Sequence, residues 1–234
     1  MDSKAIIHKI REDYNRIAEL FSDTRYDLWD ELKQFKKLVK DGQNILDWGC
    51  GNGRLLFLLQ DNNVKYFGLD QSDELLKLAS KKWETEIQSG KASFFSTAEG
   101  EKTFSTSFFD LVFMVASFHH LPDEITRLEL LKKIYLEMKN GGQIITVVWN
   151  LESDWAQGQL KKGWSKMAEN DYVVPWKDKD GKVISERYYH HFSKDELSGL
   201  FKRAGFKNIR FFYDDEDQMV GVKEARNLIV IAEK

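Results

Sequence analysis

The sequence predicts an α/β protein: one open, mostly parallel sheet of seven strands with helices on both faces. Three observations predict it. From residue 44 to about 150, short apolar runs alternate with amphipathic stretches, the rhythm of right-handed β-α-β crossovers. The first apolar run ends in Gly49-Cys50-Gly51-Asn52-Gly53, a turn that lets a strand hand over to a helix. The second ends in Asp70, about twenty residues after Gly49, where an acidic side chain commonly holds a ribose hydroxyl.

Residues 4–40 read as helical. Ile6, Ile7, Ile10, Tyr14, Ile17, Ala18 and Phe21 recur at helical spacing, and Ser22-Asp23-Thr24 interrupts them. Leu28, Leu32, Phe35, Leu38 and Val39 then resume the pattern up to Asp41-Gly42. Strands are expected at 45–48, 65–70, 92–95, 109–115 and 143–149. Helices are expected at 55–60, 73–82 and 123–138, the last stopped by Asn140-Gly141-Gly142. The strand from Phe109 to Val115 is apolar on both faces, as a buried parallel strand must be. A helix near 193–204 and strands near 207–213 and 227–232 complete the seven strands. Residues 151–190 break the rhythm. They are polar, with scattered Trp155, Trp164 and Trp176, and are expected to cap the site. The chain therefore divides as a single domain with an N-terminal helical lid (1–42), a ligand-binding core (43–150), an inserted cap (151–192) and a closing helix with two strands (193–234).

Composition narrows the function. Thirty-five Lys and Arg against 38 Asp and Glu leave a net charge of −3, which excludes a strongly basic nucleic-acid-binding domain while allowing a local basic patch. With 42% hydrophobic and 31% charged residues, the chain is globular. No apolar run approaches the roughly 18–20 residues that span a bilayer, so no membrane association is expected. Met1 to Glu12 carries charges and lacks a signal-peptide core. Cys50 is the one cysteine, which excludes an internal disulfide framework and suits the reducing cytoplasm. The run Tyr188-Tyr189-His190-His191-Phe192 lacks metal-ligand spacing, so no metal is expected.

Two details separate the glycine loop from a dinucleotide fingerprint. Gly53 follows Gly51 by two positions, where G-x-G-x-x-G needs three. Asp47 stands two residues before Gly49, and a carboxylate there repels a pyrophosphate. It suits a cation instead, such as the ammonium or sulfonium of S-adenosylmethionine, which carries no phosphate. Further on, Ser107-Phe108-Phe109-Asp110-Leu111-Val112-Phe113 and Leu136-Glu137-Met138-Lys139-Asn140-Gly141-Gly142 precede the fourth and fifth strands. Together these segments resemble the Rossmann-like class I S-adenosylmethionine-dependent methyltransferases.

That resemblance implies where the cofactor sits. The backbone of Gly49, Cys50 and Gly51 approaches the methionine moiety, with Asn52 and Gly53 completing the loop. Asp70 accepts hydrogen bonds from the ribose hydroxyls, and Gln71 lies at the adenine edge. Thr97-Ala98-Glu99 offers the adenine a backbone amide and a polar side chain, although many relatives carry aspartate where Thr97 stands. Val115-Ala116-Ser117 ends the fourth strand beside the transferable methyl.

Methyl transfer is an in-line displacement, helped most by proximity and alignment. A general base is required only when the nucleophile is protonated. The acceptor pocket is therefore the better guide to the substrate. Its candidates are Tyr14, Arg25, His119 and His120, with Tyr172, Trp176, Arg187, Tyr188, Tyr189 and His190 from the cap. Plainer roles compete: Tyr14 as helix core, Arg25 paired with Asp23 or Asp27, and one of the two adjacent histidines as structural.

The flanking segments sharpen the resemblance. Tyr14-Asn15-Arg16-Ile17-Ala18-Glu19-Leu20-Phe21-Ser22-Asp23-Thr24-Arg25, then Trp29, is similar to the N-terminal signature of tRNA wobble-uridine carboxymethyl methyltransferases, including the methyltransferase part of the AlkB-homologue fusion. Phe118-His119-His120-Leu121, Val147-Val148-Trp149-Asn150, Tyr172-Val173-Val174-Pro175-Trp176 and Arg187-Tyr188-Tyr189-His190 resemble further motifs of that family, over residues 14–213. The resemblance implies a carboxylate acceptor, 5-carboxymethyluridine in tRNA, and a small zinc-binding activator subunit as partner. A carboxylate is already ionised at neutral pH and must be held rather than deprotonated. Arg25 is the expected clamp. His119 and Tyr14 are its expected hydrogen-bonding companions, and Trp176, Arg187, Tyr188 and His190 the cap side of the pocket.

The charge pattern argues less strongly for RNA. Residues 1–45 carry nine positive and nine negative charges, and residues 151–195 eight of each. The local basic groups are Lys161, Lys162 and Lys166, and Lys202, Arg203, Lys207 and Arg210, while Asp214-Asp215-Glu216-Asp217 would repel phosphates. Methylation of a small-molecule or protein carboxylate, hydroxyl or amine, and a non-catalytic partner subunit of the same fold, remain the competing readings.

Overall fold

The computed structural model describes residues 2–98, 100, 102–215, 218 and 220–234. Its strands are β1 (Asn44–Trp48), β2 (Lys65–Asp70), β3 (Ala92–Ser96), β4 (Phe109–Val115), β5 (Met138–Trp149), β6 (Ser165–Lys166), β7 (Asp171–Lys177), β8 (Val183–His190), β9 (Lys207–Tyr213) and β10 (Asn227–Glu233). Its helices are α1 (Ser3–Asp23), α2 (Asp30–Lys33, continued by a 3-10 turn over Gln34–Leu38), α3 (Leu56–Leu59), α4 (Asp73–Lys82), α5 (Glu84–Gln88), α6 (Glu124–Glu137), α7 (Asp154–Leu160) and α8 (Lys194–Ala204).

Seven strands form one sheet in the order β3-β2-β1-β4-β5-β10-β9. All neighbouring pairs are parallel except those of β10, which runs antiparallel to both β5 and β9. Side-chain alternation divides the strands between two apolar layers. On β4, Val112 and Met114 join one apolar layer with α6 and α8, while Leu111 and Phe113 join the other with α2 and α3. Ile144 and Ile145 of β5, and Val230 and Ile229 of β10, divide the same way. A strand buried on both faces cannot slip by one residue without exchanging its layers. From β1 the chain winds outward to β3, then returns to β4 on the opposite side of β1. The carboxyl ends of β1 and β4 thus flank the switch point where open α/β sheets bind ligands.

Local signals explain the helix ends. Ser72 caps α4, its Oγ accepting from the Leu75 N–H, with Asp73 and Glu74 in the first turn and Lys81 and Lys82 in the last. Asp123 caps α6 and Ser193 caps α8, which closes at Gly205 in the left-handed region. One boundary differs from expectation. The helix stops at Glu137, and β5 begins at Met138 rather than at residue 143, because Met138 is already extended and pairs with Phe109.

The segment expected to be an irregular cap is ordered: α7 followed by a three-stranded antiparallel sheet, β6-β7-β8. Tyr172, Val174 and Tyr189 turn inward on Leu151, Trp149, Trp155 and Trp164. Pro175 hides this strand in the sequence. It lies past the short β6, which pairs only with Tyr172 and Val173, so its missing N–H leaves no ladder bond unmade.

Helix α1 binds both halves of the molecule. Asn15 Oδ1 accepts from Ser72 Oγ (2.8 Å) and from the Glu74 N–H (3.3 Å) at the start of α4. On the other side Arg16 donates to the Ile184 carbonyl (3.3 Å) and Lys9 to that of Glu186, both on β8. No helix among the described residues is long and apolar enough to cross a membrane.

Candidate active site

A crevice lies between the carboxyl ends of β1, β2 and β4, the inner face of α1, and the end of β8. Its floor is the glycine turn. Gly49 (φ +76°) approaches β4 so closely that a Cβ there would stand 2.2 Å from Ser117 Cβ. The Ser117 hydroxyl locks the approach by donating to the Trp48 carbonyl (2.7 Å). Gly53 (φ +72°) lies against Trp83 and Phe94 instead, so it shapes the turn without lining the crevice. Asn52 ties the turn to the end of α1, its amide donating to Ser22 Oγ and to the Arg25 carbonyl, each at 3.0 Å. Cys50 is buried against Gly68. Burial, then Asp70 and Asp47, push its thiol well above the ordinary range, so it is no thiolate nucleophile.

Two carboxylates face this floor, one buried and one half-buried. Asp47 is 3% exposed and accepts a hydrogen bond from the Tyr66 phenol (2.8 Å). Burial raises its pKa to about 7 despite that bond. Asp70 accepts from the Gly51 N–H and the Ser72 N–H, both at 2.8 Å, and burial raises its pKa also. These two bonds leave lone pairs on both its oxygens for a ligand. Two carboxyl groups, one of them on backbone N–H groups, at a turn with no room for side chains suit a cationic and hydroxyl-rich ligand. S-adenosylmethionine fits that donor set.

Gln71, Val115 and Ala116 line the crevice, Ala116 with φ +53°, an uncommon conformation for a residue with a side chain. Thr97 lines it too, but Ala98 does not. The Ala98 N–H faces Ser96 Oγ (3.2 Å) and its carbonyl accepts from Arg11 (3.2 Å), so Thr97 is the lining member of that triplet. Glu99 lies outside the described residues.

The side of the crevice facing the cap is built around His120, not the expected His119. His120 Nδ1 lies 2.8 Å from the Tyr188 carbonyl, which can only accept, so that nitrogen carries the proton. Nε2 then accepts from the Tyr14 phenol at 2.8 Å. Burial lowers the His120 pKa to about 3, which keeps the ring neutral. The adjacent His119 is fully buried behind it, with Nδ1 accepting from the Trp149 N–H (3.2 Å), and it does not line the crevice. The two rings diverge because Phe118–His120 is a 3-10 turn, in which neighbours point about 120° apart.

Arg187, 3% exposed, donates to Tyr189 Oη (2.9 Å) and approaches Tyr14 Oη (3.4 Å). Arg25 donates to Thr24 Oγ1 (2.7 Å) and forms no ion pair with Asp23 or Asp27. Trp176 stands behind both, its ring 5.0 Å from the Arg187 guanidinium and 5.4 Å from that of Arg25. It holds the arginines without lining the crevice itself. Among the described residues, neither arginine has a carboxylate within ion-pair distance.

Two expected cap residues sit elsewhere. Tyr188 donates to Asp171 Oδ1 (2.6 Å) and serves His120 through its backbone carbonyl, so Tyr189 is the phenol beside Arg187. His190 lies between Asp171 (2.7 Å) and Glu196 (3.0 Å), and Glu196 also accepts from Arg127 (3.0 Å). That cluster fastens the cap to α6 and α8. Sequence reasoning missed Tyr66, whose partner Asp47 lies on the adjacent strand two positions beyond its register neighbour Ile45, and Arg54, a charge directly after the glycine loop that lines the crevice.

Comparison with known proteins agrees with this geometry. The methyltransferase-domain family matches residues 15–210. The tRNA (carboxymethyluridine(34)-5-O)-methyltransferase of Schizosaccharomyces pombe is 28% identical over 92% of this chain and 94% of its own length. That of Saccharomyces cerevisiae is 31% identical over 73% of this chain, which spans 56% of the relative. Among solved structures, the Burkholderia thailandensis 1,6-didemethyltoxoflavin-N1-methyltransferase with bound S-adenosylhomocysteine matches with a TM-score of 0.66 at 14% identity, covering 100% of this chain and 91% of that one. A Haloferax volcanii methyltransferase in complex with the Trm112 methyltransferase activator matches at 0.65 and 18% identity, covering 96% of each. The sheet order, the glycine-lined crevice with Asp47 and Asp70 at its floor, and the family match over most of the chain lead to one conclusion: this chain belongs to the methyltransferase-domain family and is a class I, S-adenosylmethionine-dependent methyltransferase.

Proposed function

We propose that the chain methylates the carboxylate of 5-carboxymethyluridine at the wobble position of tRNA. The observation that carries this reading is the pair Arg25 and Arg187, which face the crevice and, among the described residues, have no carboxylate within ion-pair distance. An anionic acceptor supplies the missing charge, and a guanidinium fork matches a carboxylate. The names of the relatives agree with this acceptor.

When bound, S-adenosylmethionine supplies an electrophilic methyl on a cationic sulfur, so attack by a carboxylate oxygen forms the ester as the carbon–sulfur bond breaks and the two charges cancel. No proton moves, and no side chain has to act as a base. Asp47 and Asp70 hold the donor end. Arg25 and Arg187 orient the acceptor carboxylate. Tyr14 and Tyr189 set the position of Arg187, and the aromatic walls exclude water from a reaction in which charge disappears.

The test is incubation with labelled S-adenosylmethionine and tRNA bearing 5-carboxymethyluridine, followed by nucleoside mass spectrometry. Formation of the methyl ester is expected, and none on tRNA with unmodified uridine at that position. Label confined to protein or small metabolites would overturn the tRNA assignment. A small carboxylate acceptor is the second reading, favoured by the balanced charge of residues 151–195. We also propose a small zinc-binding activator subunit as partner, supported by the Haloferax volcanii complex, and a cytoplasmic setting, supported by the lone, buried Cys50. Stimulation of turnover by the added activator tests the first.

A further inference from the structure

The cap carries cations that the chemistry in the crevice does not use. Residues 155–168, from α7 through β6, hold Lys161, Lys162 and Lys166 and no acidic residue. These lysines are exposed, and among the described residues none of them forms an ion pair. On α1, α2 and α4, by contrast, Lys9, Lys33 and Lys77 pair with Asp13, Asp30 and Glu74. The charge balance of residues 151–195 hides this separation, because carboxylates of that segment are engaged elsewhere. Asp171 serves Tyr188 and His190, Asp178 accepts from the N–H groups of Asp180 and Lys182, and Glu152 faces His191 at 3.7 Å.

The loop that carries these lysines is fastened to the crevice wall. Trp164, between Lys162 and Lys166, stacks on Trp149 with ring centroids 5.9 Å apart and planes 10° from parallel. Trp149 in turn lines the crevice. The N–H groups of Lys162 and Trp164 both donate to the Gln159 carbonyl, at 2.9 and 3.2 Å. Gly163 between them takes φ +113°, which glycine adopts without strain. Beside it the Lys177 ammonium, at the end of β7, donates to the Lys162 carbonyl (3.2 Å). The fold thus gathers a fourth cation onto the loop, and Trp164 sets the group one ring away from the crevice.

Cations gathered without carboxylates make a local positive field, and a polyanion gains most from it. A nucleotide whose base enters the crevice keeps its flanking phosphates outside, against the wall that Trp149 and Trp164 share. We propose that Lys161, Lys162, Lys166 and Lys177 bind the phosphates of the tRNA strand that flanks the target uridine, with Trp164 fixing their distance from the crevice. This rests on tRNA being the acceptor. Phosphate contacts position a strand without reading its sequence. The patch therefore supplies affinity and register, while Arg25 and Arg187 recognise the modified base.

The test compares two triple variants of the full chain with wild type. Lys161→Gln/Lys162→Gln/Lys166→Gln removes the patch. Lys132→Gln/Lys202→Gln/Lys207→Gln removes the same charge from exposed positions on α6, α8 and β9. Binding of tRNA bearing 5-carboxymethyluridine is measured from about 50 to about 200 mM salt, the range over which counterion release is read. A neutralised phosphate on a single strand contributes about 0.7 to the slope of log K against log salt, so the cap variant should lose about 2 from that slope. Its KM for the tRNA should rise roughly 10-fold, while S-adenosylhomocysteine affinity stays within about 2-fold. The second variant should keep the wild-type slope. Lys161→Arg/Lys162→Arg/Lys166→Arg should keep it too, because the contact depends on charge. The proposal is overturned if the cap variant retains the wild-type slope, or if both glutamine variants lose it equally, which would make the effect one of overall charge. It is also overturned if polyglutamate displaces the tRNA as well as an unmodified single-stranded RNA does, since the patch would then fit an acidic protein. Ester formation by wild type with an unchanged cap variant sinks this proposal alone. No ester formation by wild type sinks the acceptor reading, and this proposal with it.

Discussion

The phenol of Tyr14 and the imidazole of His120 meet at 2.8 Å across 106 residues of chain, and the Tyr188 carbonyl decides which of them donates. With Nδ1–H committed to that carbonyl, the Tyr14 proton points to Nε2, and the phenol oxygen keeps its lone pairs for Arg187. We expect Tyr14→Phe to keep the edge-on ring packing on Phe21 and His120 while lowering kcat/KM for the acceptor by about 10-fold, the scale of one hydrogen bond. His120→Ala should act through the same contact. The double variant should therefore be little worse than the worse single one, as steady-state kinetics on all four proteins would reveal.

Arg187 binds the ground state at least as tightly as the transition state in the proposed reaction, because its carboxylate partner loses charge as the ester forms. Arg187→Met should accordingly raise KM for the acceptor by roughly 10- to 100-fold with a smaller change in kcat. Arg25→Ala should follow the same pattern. An unchanged KM in both would remove the arginine pair from acceptor recognition.

The carboxyl of Asp47 gives a pH signature. Burial holds its folded pKa at about 7, against an ordinary value of 3.8. In ligand-free protein its contribution to stability is thus fully present below about pH 4 and is lost as pH rises through about 7. Asp47→Asn should raise the Tm of ligand-free protein by several degrees at pH 8 and hardly at all at pH 4. Binding should move the other way. Affinity for S-adenosylmethionine should climb as pH passes through 7, because the ionised group attracts the positive charge of the ligand. Titrations from pH 5.5 to 8.5 would show the slope in wild type and a flat line in Asp47→Asn.

Asp171 receives the Tyr188 phenol at 2.6 Å and faces His190 at 2.7 Å, outside the crevice. Asp171→Ala should destabilise the protein by about 1–2 kcal/mol, or roughly 2–8 °C in Tm. S-adenosylhomocysteine affinity should stay within 2-fold, since Asp171 touches none of the groups at the glycine turn. Differential scanning calorimetry paired with ligand titration separates the two effects.

Much of this architecture is legible in the sequence because burial on both faces leaves a clear trace. Strands β2 and β4 and helix α4 fall where the apolar pattern places them, and Gly49, Asp47 and Asp70 meet at the switch point as their spacing implies. What stays hidden depends on contacts made far along the chain. The cap sheet is obscured by Pro175 and by a partner strand only two residues long. The choice between His119 and His120 rests on a 3-10 turn, whose rotation per residue no local pattern records. Arg54 escapes notice because a cation after a glycine loop reads as an exposed helix start until Trp29 covers it.

Helix α1 has one further consequence. Asn15 grips the turn that carries Asp70, and Tyr14, its immediate neighbour, grips His120 and approaches Arg187. Adjacent side chains on one rigid rod therefore report on opposite ends of the reaction. A change that tilts this rod should therefore disturb the affinities for methyl donor and target together, whichever end it strikes first.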